Sequence, residues 1–190
     1  QSLAEFDDDG EGRWGSLSGA IENNVRAKTF ANFLRTGQVL RRSEVPFATY
    51  NEYLPGVIGF SNELERYAIK RASDKDARSV MVCKNVVELI NSQLMLFDFR
   101  NGPIRHRYDS MKYVVRKMED TLFELSLVHE IFDPEVMEDA NSTSKNEEVM
   151  QDADAPTILD LQEFDQMRQE MEAFDEKRDI VIKKCRDLQK

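Results

Sequence analysis

Few residues in this 190-residue chain have the type and spacing for chemistry. Its two histidines, His106 and His129, are 23 positions apart with no third ligand spaced for zinc, so packed or solvated imidazoles are the better reading. Asp74 and Asp76 flank Lys75 in a charged connector. Two carboxylates so close could hold Mg²⁺, but a capping pair at a helix junction needs only one turn of backbone and is favoured. The bases Arg105, Arg107, Lys112, Arg116 and Lys117 are interleaved with Asp109, Glu119, Asp120 and Glu124. Helix-surface ion pairs account for that pattern better than a phosphate track does. No glycine-rich phosphate loop, paired-cysteine zinc motif, metalloprotease helix or serine elbow is present. Metal and cofactor are therefore both expected to be none.

The elements that would position these residues are helical. Trp14, Leu17, Ile21, Val25, Phe30, Phe33 and Leu34 recur at steps that predict a helix from Arg13 to Leu34, with Gly37 suited to its C-terminal cap. Helices are predicted from Tyr53 to Ile69 and from Ser79 to Leu96. The clearest stripe runs from Ile104 to Leu125 through Tyr108, Met111, Val114/Val115, Met118 and Leu122, after the turn Asn101-Gly102-Pro103. A last stripe, Leu161, Phe164, Met167, Met171, Phe174, Val181, Cys185 and Leu188, is expected to start near Asp154-Ala155-Pro156-Thr157. With only 8 Gly and 5 Pro and no alternating run of useful length, the fold class is all-α.

Charge divides the chain further. The formal net charge is −10, but residues 1–11 hold −5 and residues 131–155 hold −7, which leaves +2 for the remainder. The folded part is thus slightly basic, and binding of single-stranded nucleic acid is compatible with it. Asn141-Ser142-Thr143-Ser144-Lys145-Asn146 between acids reads as a flexible linker. The expected organisation is an acidic segment 1–12, a helical region 13–132, an acidic linker 133–155 and a helix within 156–190. No apolar run approaches the roughly 18 residues of a membrane span, the start does not read as a signal peptide, and Cys83 and Cys185 form no local motif. A cytoplasmic or nuclear protein without a membrane partner is the expectation.

Three motifs, in order, resemble the translin family. Asn101 to Leu127 looks like the family's last long helix, through Arg107-Tyr108-Asp109, Met111-Lys112-Tyr113, Val115-Arg116-Lys117-Met118-Glu119 and Leu125-Ser126-Leu127. Glu52-Tyr53-Leu54 with Gly56-Val57, then Ser61-Asn62-Glu63-Leu64 with Arg66-Tyr67, resembles the preceding helix. Trp14 and Thr29-Phe30-Ala31-Asn32-Phe33-Leu34 resemble the one before that. The resemblance covers about 13–130 and is closer to translin than to translin-associated factor X. Leu161 to Lys190 is similar to the family's first helix, so the segment order looks circularly permuted, and the second and third helices have no counterpart.

The resemblance implies a translin-like antiparallel helical bundle that assembles with itself or other translin-family subunits into a hollow oligomer binding single-stranded RNA or DNA. It also locates the endoribonuclease site of translin-associated factor X, which uses two glutamates one turn apart and a later aspartate around Mg²⁺. Here the glutamate positions fall on Asn23 and Arg26, and only Asp76 matches an acid. Glu22 is one residue off, about 100° around the helix. This favours a non-catalytic binding subunit with Arg13, Trp14, Arg26 and Arg35 as the nucleic-acid-binding residues. The acidic run before Trp14 keeps open a structural building block that has lost RNA binding. Glu22 with Asp76 keeps open a divergent Mg²⁺-dependent endoribonuclease.

Overall fold

A computed structural model of the chain describes residues 15–100, 102–128 and 157–188, and those residues form helices joined by short connectors. The helices are α1 (Gly15–Thr36), α2 (Tyr50–Ser73), α3 (Ala77–Leu94), α4 (Pro103–Tyr108), α5 (Met111–Val128) and α6 (Leu161–Leu188), with a single 3₁₀ turn at Arg42–Glu44 between α1 and α2. No strand occurs among the described residues. The expected segments 1–12 and 133–155, and with them His129, lie outside the described residues.

The bundle is organised around α2, which packs against α1, α3, α4 and α5. Its first turns are buried on every side from Glu52 through Ile58, the signature of a central helix rather than a surface one. A capping box starts it: the Glu52 carboxylate accepts the Thr49 N–H at 3.0 Å and the Thr49 hydroxyl at 3.0 Å. Further along, two glycines let α1 come close. A Cβ at Gly56 would lie 2.6 Å from Val25 Cγ1 and 3.1 Å from the Glu22 carbonyl oxygen, and one at Gly59 would lie 2.9 Å from Arg26 Cδ. Around that crossing Phe30, Phe33, Phe60 and Tyr67 form an aromatic cluster, with Phe33 and Phe60 edge-to-face at 5.6 Å.

Helix ends follow local chemistry. The N–H of Gly37 (φ +73°) donates to the Phe33 carbonyl at 2.8 Å and closes α1, as its position after the apolar stripe predicts. At the end of α2 the Asp76 N–H donates to Arg71 O at 2.9 Å and the Lys75 N–H to Ala72 O at 2.9 Å, a Schellman motif. Lys75 holds its left-handed position at φ +63°, where glycine is usual; a side chain there costs about 1–2 kcal/mol.

Four expectations are corrected. The single helix Ile104–Leu125 is two, because the chain turns at Asp109-Ser110, where the Ser110 hydroxyl donates to Arg107 O at 2.6 Å and competes with the helical bonding of that turn. Both parts keep the stripe, with Met111, Val114, Met118 and Leu125 buried. The last helix starts at Asp160 rather than near Asp154–Thr157, since Asp160 Oδ1 accepts the N–H groups of Gln162 at 3.1 Å and Glu163 at 3.2 Å. Its apolar stripe is also not uniformly buried. Phe164, Met167 and Met171 enter the common core, Phe164 meeting Tyr53 and Phe97 edge-to-face, whereas Phe174, Val181, Cys185 and Leu188 face solvent. Leu34, expected in the α1 stripe, is exposed as well, and Thr29 takes the buried place with its hydroxyl on Val25 O at 2.8 Å.

Polar clamps hold α6 on the bundle. The Glu163 carboxylate accepts the N–H groups of Arg42 at 2.7 Å and Ser43 at 3.2 Å, at the start of the 3₁₀ turn. Arg42 reaches Glu170 at 2.8 Å, and Arg100 engages Asp175 at 3.0 Å and Asp179 at 2.7 Å. Beneath them the Tyr53 hydroxyl donates to Leu40 O at 2.6 Å, and burial pushes its pKa well above the ordinary tyrosine range.

Gly56→Ala is expected to destabilise the chain by about 1–3 kcal/mol, because overpacking against a backbone carbonyl outweighs the gain of roughly 1 kcal/mol in helix propensity. Urea unfolding measures it, and Val25→Ala in the same chain should recover part of the loss. A Gly56→Ala protein as stable as the parent would show that the crossing is not close.

Candidate functional site

The four residues expected to contact nucleic acid do not form one surface. Arg13 and Trp14 lie outside the described residues. Arg26 lays its stem across the notch left by Gly59 and turns its guanidinium toward Glu63 on α2, Nε to Oε1 3.7 Å. Arg35, in the last turn of α1, is exposed and has no ion partner among the described residues. Nine positions separate it from Arg26, which places the two about 180° apart around α1 and about 14 Å along it. One phosphate track cannot use both from the same side of the helix.

The acids that could have made a metal site are already engaged. Asp76 is the N-cap of α3. Its Oδ1 accepts the Ser79 N–H at 3.0 Å, its Oδ2 accepts the Ser79 hydroxyl at 2.7 Å, and Arg71 Nη2 lies 3.0 Å from Oδ2. The two bonds from Ser79, with Arg71 behind them, hold its pKa below the ordinary aspartate value. Asp74 pairs with the same Arg71 at 3.5 Å. Glu22 on α1 is mostly buried and takes Arg107 of α4 as its ion partner. Among the described residues no three His, Cys, Asp or Glu side chains converge to hold a metal ion.

The basic run of α4 and α5 resolves into paired and unpaired members. Arg105 pairs with Asp109 at 3.1 Å, Arg107 with Glu22, and Lys117 with Glu65 at 3.2 Å. Lys112 instead places its ammonium 5.0 Å from the centre of the Tyr113 ring, and Arg116 has no ion partner among the described residues. The expected pairing within the run therefore holds for Arg105 alone, while Arg107 and Lys117 pair instead with acids of α1 and α2. Tyr113 and Arg116 face an open groove of about 910 Å³ between the end of α2 and α5, whose walls include Ile69, Lys75, Asp120 and Leu125. Sequence reasoning passed over this groove, because Lys75 reaches it only through the α2–α3 turn.

Cys83 is buried in α3, where burial pushes its thiol up to about 11, and Cys185 is exposed on α6; both are free. The bundle's aromatic residues are mostly core, as their helical spacing predicts. No helix among the described residues is long and apolar enough to cross a membrane.

The Translin family model matches residues 13–128, which takes in all of α1 through α5 and stops where α5 ends. The chain belongs to the translin family. Translin of Gallus gallus is 30% identical to it over 76 residues, 40% of this chain and 33% of that protein. Translin of Homo sapiens and of Mus musculus are each 29% identical over 76 residues with the same coverage. The chain thus matches about a third of the length of these curated relatives. Within this translin-family region Gly56 has a physical reason, the approach of α1. Residues 157–188, including α6, fall outside the match.

Asp76→Ala should cost about 1 kcal/mol, the value of an N-cap. A carboxylate whose folded pKa is depressed stabilises above its unfolded pKa and loses that contribution as pH falls through the folded value. The difference between parent and Asp76→Ala in urea unfolding should therefore be full at pH 7 and shrink below the ordinary aspartate range, near 3.8. A difference that persists unchanged at pH 2 would rule out the carboxylate as the cap.

Proposed function

We propose that this chain is a non-catalytic, single-stranded RNA- or DNA-binding subunit of a translin-type helical oligomer, assembled from its own copies or with other translin-family subunits in the cytoplasm or nucleus. The observation that carries the reading is the family match across α1 to α5. Its non-catalytic part is supported by the ion pair of Arg26 with Glu63, since the resemblance expects a metal-binding carboxylate at position 26. A guanidinium there repels Mg²⁺, Asn23 supplies no charge, and Glu22 and Asp76 already have donors. Two or three converging carboxylates are what Mg²⁺-assisted phosphodiester cleavage needs.

A second reading, a structural subunit that has given up nucleic acid, is favoured by one observation. Phe123 and Leu127 on α5 are each more than 60% exposed, as an assembly surface would be.

Purified 190-residue chain should bind a labelled single-stranded oligonucleotide more tightly than a duplex of the same length. The log–log salt dependence should have a slope of about −0.7 per phosphate neutralised, with no sequence preference. Neither Mg²⁺ nor EDTA should change the length of the RNA. Mg²⁺-stimulated cleavage lost in EDTA would replace this reading by the nuclease. No binding at low salt, with a particle that is the same size with and without RNA, would replace it by the structural subunit.

A further inference from the structure

We propose that the groove between the end of α2 and α5 is the single-strand track, with Tyr113 as the base-stacking platform and Lys75 and Arg116 as the phosphate-binding cations. This rests on the single-strand-binding reading above and gives it a place distinct from the α1 arginines.

Availability of charge is the first argument. Some cations of the described bundle are neutralised by a carboxylate on a neighbouring element, as Arg26, Arg42, Arg71, Arg100, Arg107 and Lys117 are. Arg116 and Lys75 border the same groove and have no acidic partner among the described residues. Cations that carry only counterions in the free protein release them to a polyanion, and that release drives association.

The second argument is the ring beside them. Tyr113 is 66% exposed, although it stands on a helix whose other face is deeply packed. Its hydroxyl and ring serve no core contact, and Lys112 sits 5.0 Å from the ring centre. A solvent-facing ring flanked by cations matches an unpaired base followed by its phosphate. Duplex bases are already stacked on one another and offer no free face to it. An acidic peptide would satisfy the cations but make no use of the ring. Apolar Ile69 and Leu125 line the walls, which suits base or sugar edges.

Lys75 supplies the third argument. It occupies the left-handed position of the Schellman motif at φ +63°, where glycine would sit without strain. The strained lysine gives the groove a cation that no helical position in α2 or α3 supplies. Asp120 and Glu124 line the same groove, which limits how much phosphate it accepts and makes the track short.

The test compares full-length variants by fluorescence anisotropy with a labelled single-stranded homopolymer of pyrimidines, across a salt series, with poly-glutamate as a second probe. Tyr113→Ala and Arg116→Glu should each weaken binding about tenfold or more. Lys75→Gly should raise the melting temperature yet weaken binding and reduce the salt slope by about 0.7; a merely structural lysine would give only the first. Lys183→Glu, on the exposed far end of α6, should leave affinity within about twofold. If the parent binds and these groove variants bind equally well, the track is elsewhere and the single-strand reading survives. If Arg116→Glu weakens binding while Tyr113→Ala does not, and poly-glutamate competes at equal charge, the groove is a generic acceptor of acidic chains and the proposal fails. If the parent does not bind, both the track and the reading it rests on fall.

Discussion

The close crossing of α1 over α2 is the constraint on which the rest depends. Val25 and the Glu22 carbonyl occupy space that any side chain at Gly56 would need, and the stem of Arg26 fills the notch at Gly59. Because α1 lies so near, the first turns of α2 are shielded on that side and buried all round, and α3, α4 and α5 pack on its other faces. The crossing also decides electrostatics. It brings the Arg26 guanidinium to Glu63, so a residue that could have met a phosphate meets a carboxylate of its own chain.

Docking of α6 follows a different physics. Its first half is held by burial of Phe164, Met167 and Met171, while its edges are fixed by charge: Glu163 on the amides of the 3₁₀ turn, Arg100 across Asp175 and Asp179. Exposed ion pairs of this kind contribute little individually, on the order of 0–1 kcal/mol. They set orientation, and the buried aromatic contact supplies most of the stabilisation. Beyond Asp179 the apolar side chains Ile180, Val181 and Leu188 enter no core among the described residues, and Leu188 is 88% exposed.

Charge pairing sorts the surface into silent and available parts. Asp76, Glu22 and Arg107 look like chemistry in the sequence but are a cap and an ion pair in the fold. Arg116 and Lys75 look ordinary in the sequence yet remain without acidic partners among the described residues, beside an exposed ring. Translin-family membership brings the expectation of single-strand binding, and the track proposed for it lies beside Tyr113, Arg116 and Lys75.

The helices themselves were legible in the sequence, because apolar spacing of three and four residues and local caps such as Gly37 depend only on neighbours within a turn. So were the capping role favoured for Asp76 and most of the α5 core face. The break at Asp109-Ser110 was hidden, since a stripe continues through a short turn when both parts pack on one core. The exposure of Val181, Cys185 and Leu188 was hidden for the opposite reason: periodicity shows that a face is apolar, not whether anything reaches it. Contacts between residues far apart in sequence decided the rest. Arg26 with Glu63, Glu22 with Arg107 and Glu163 with the Arg42 amide join positions 37, 85 and 121 residues apart, and only the packing of α1 on α2 and of α6 on the bundle determines which charges meet and which stay free.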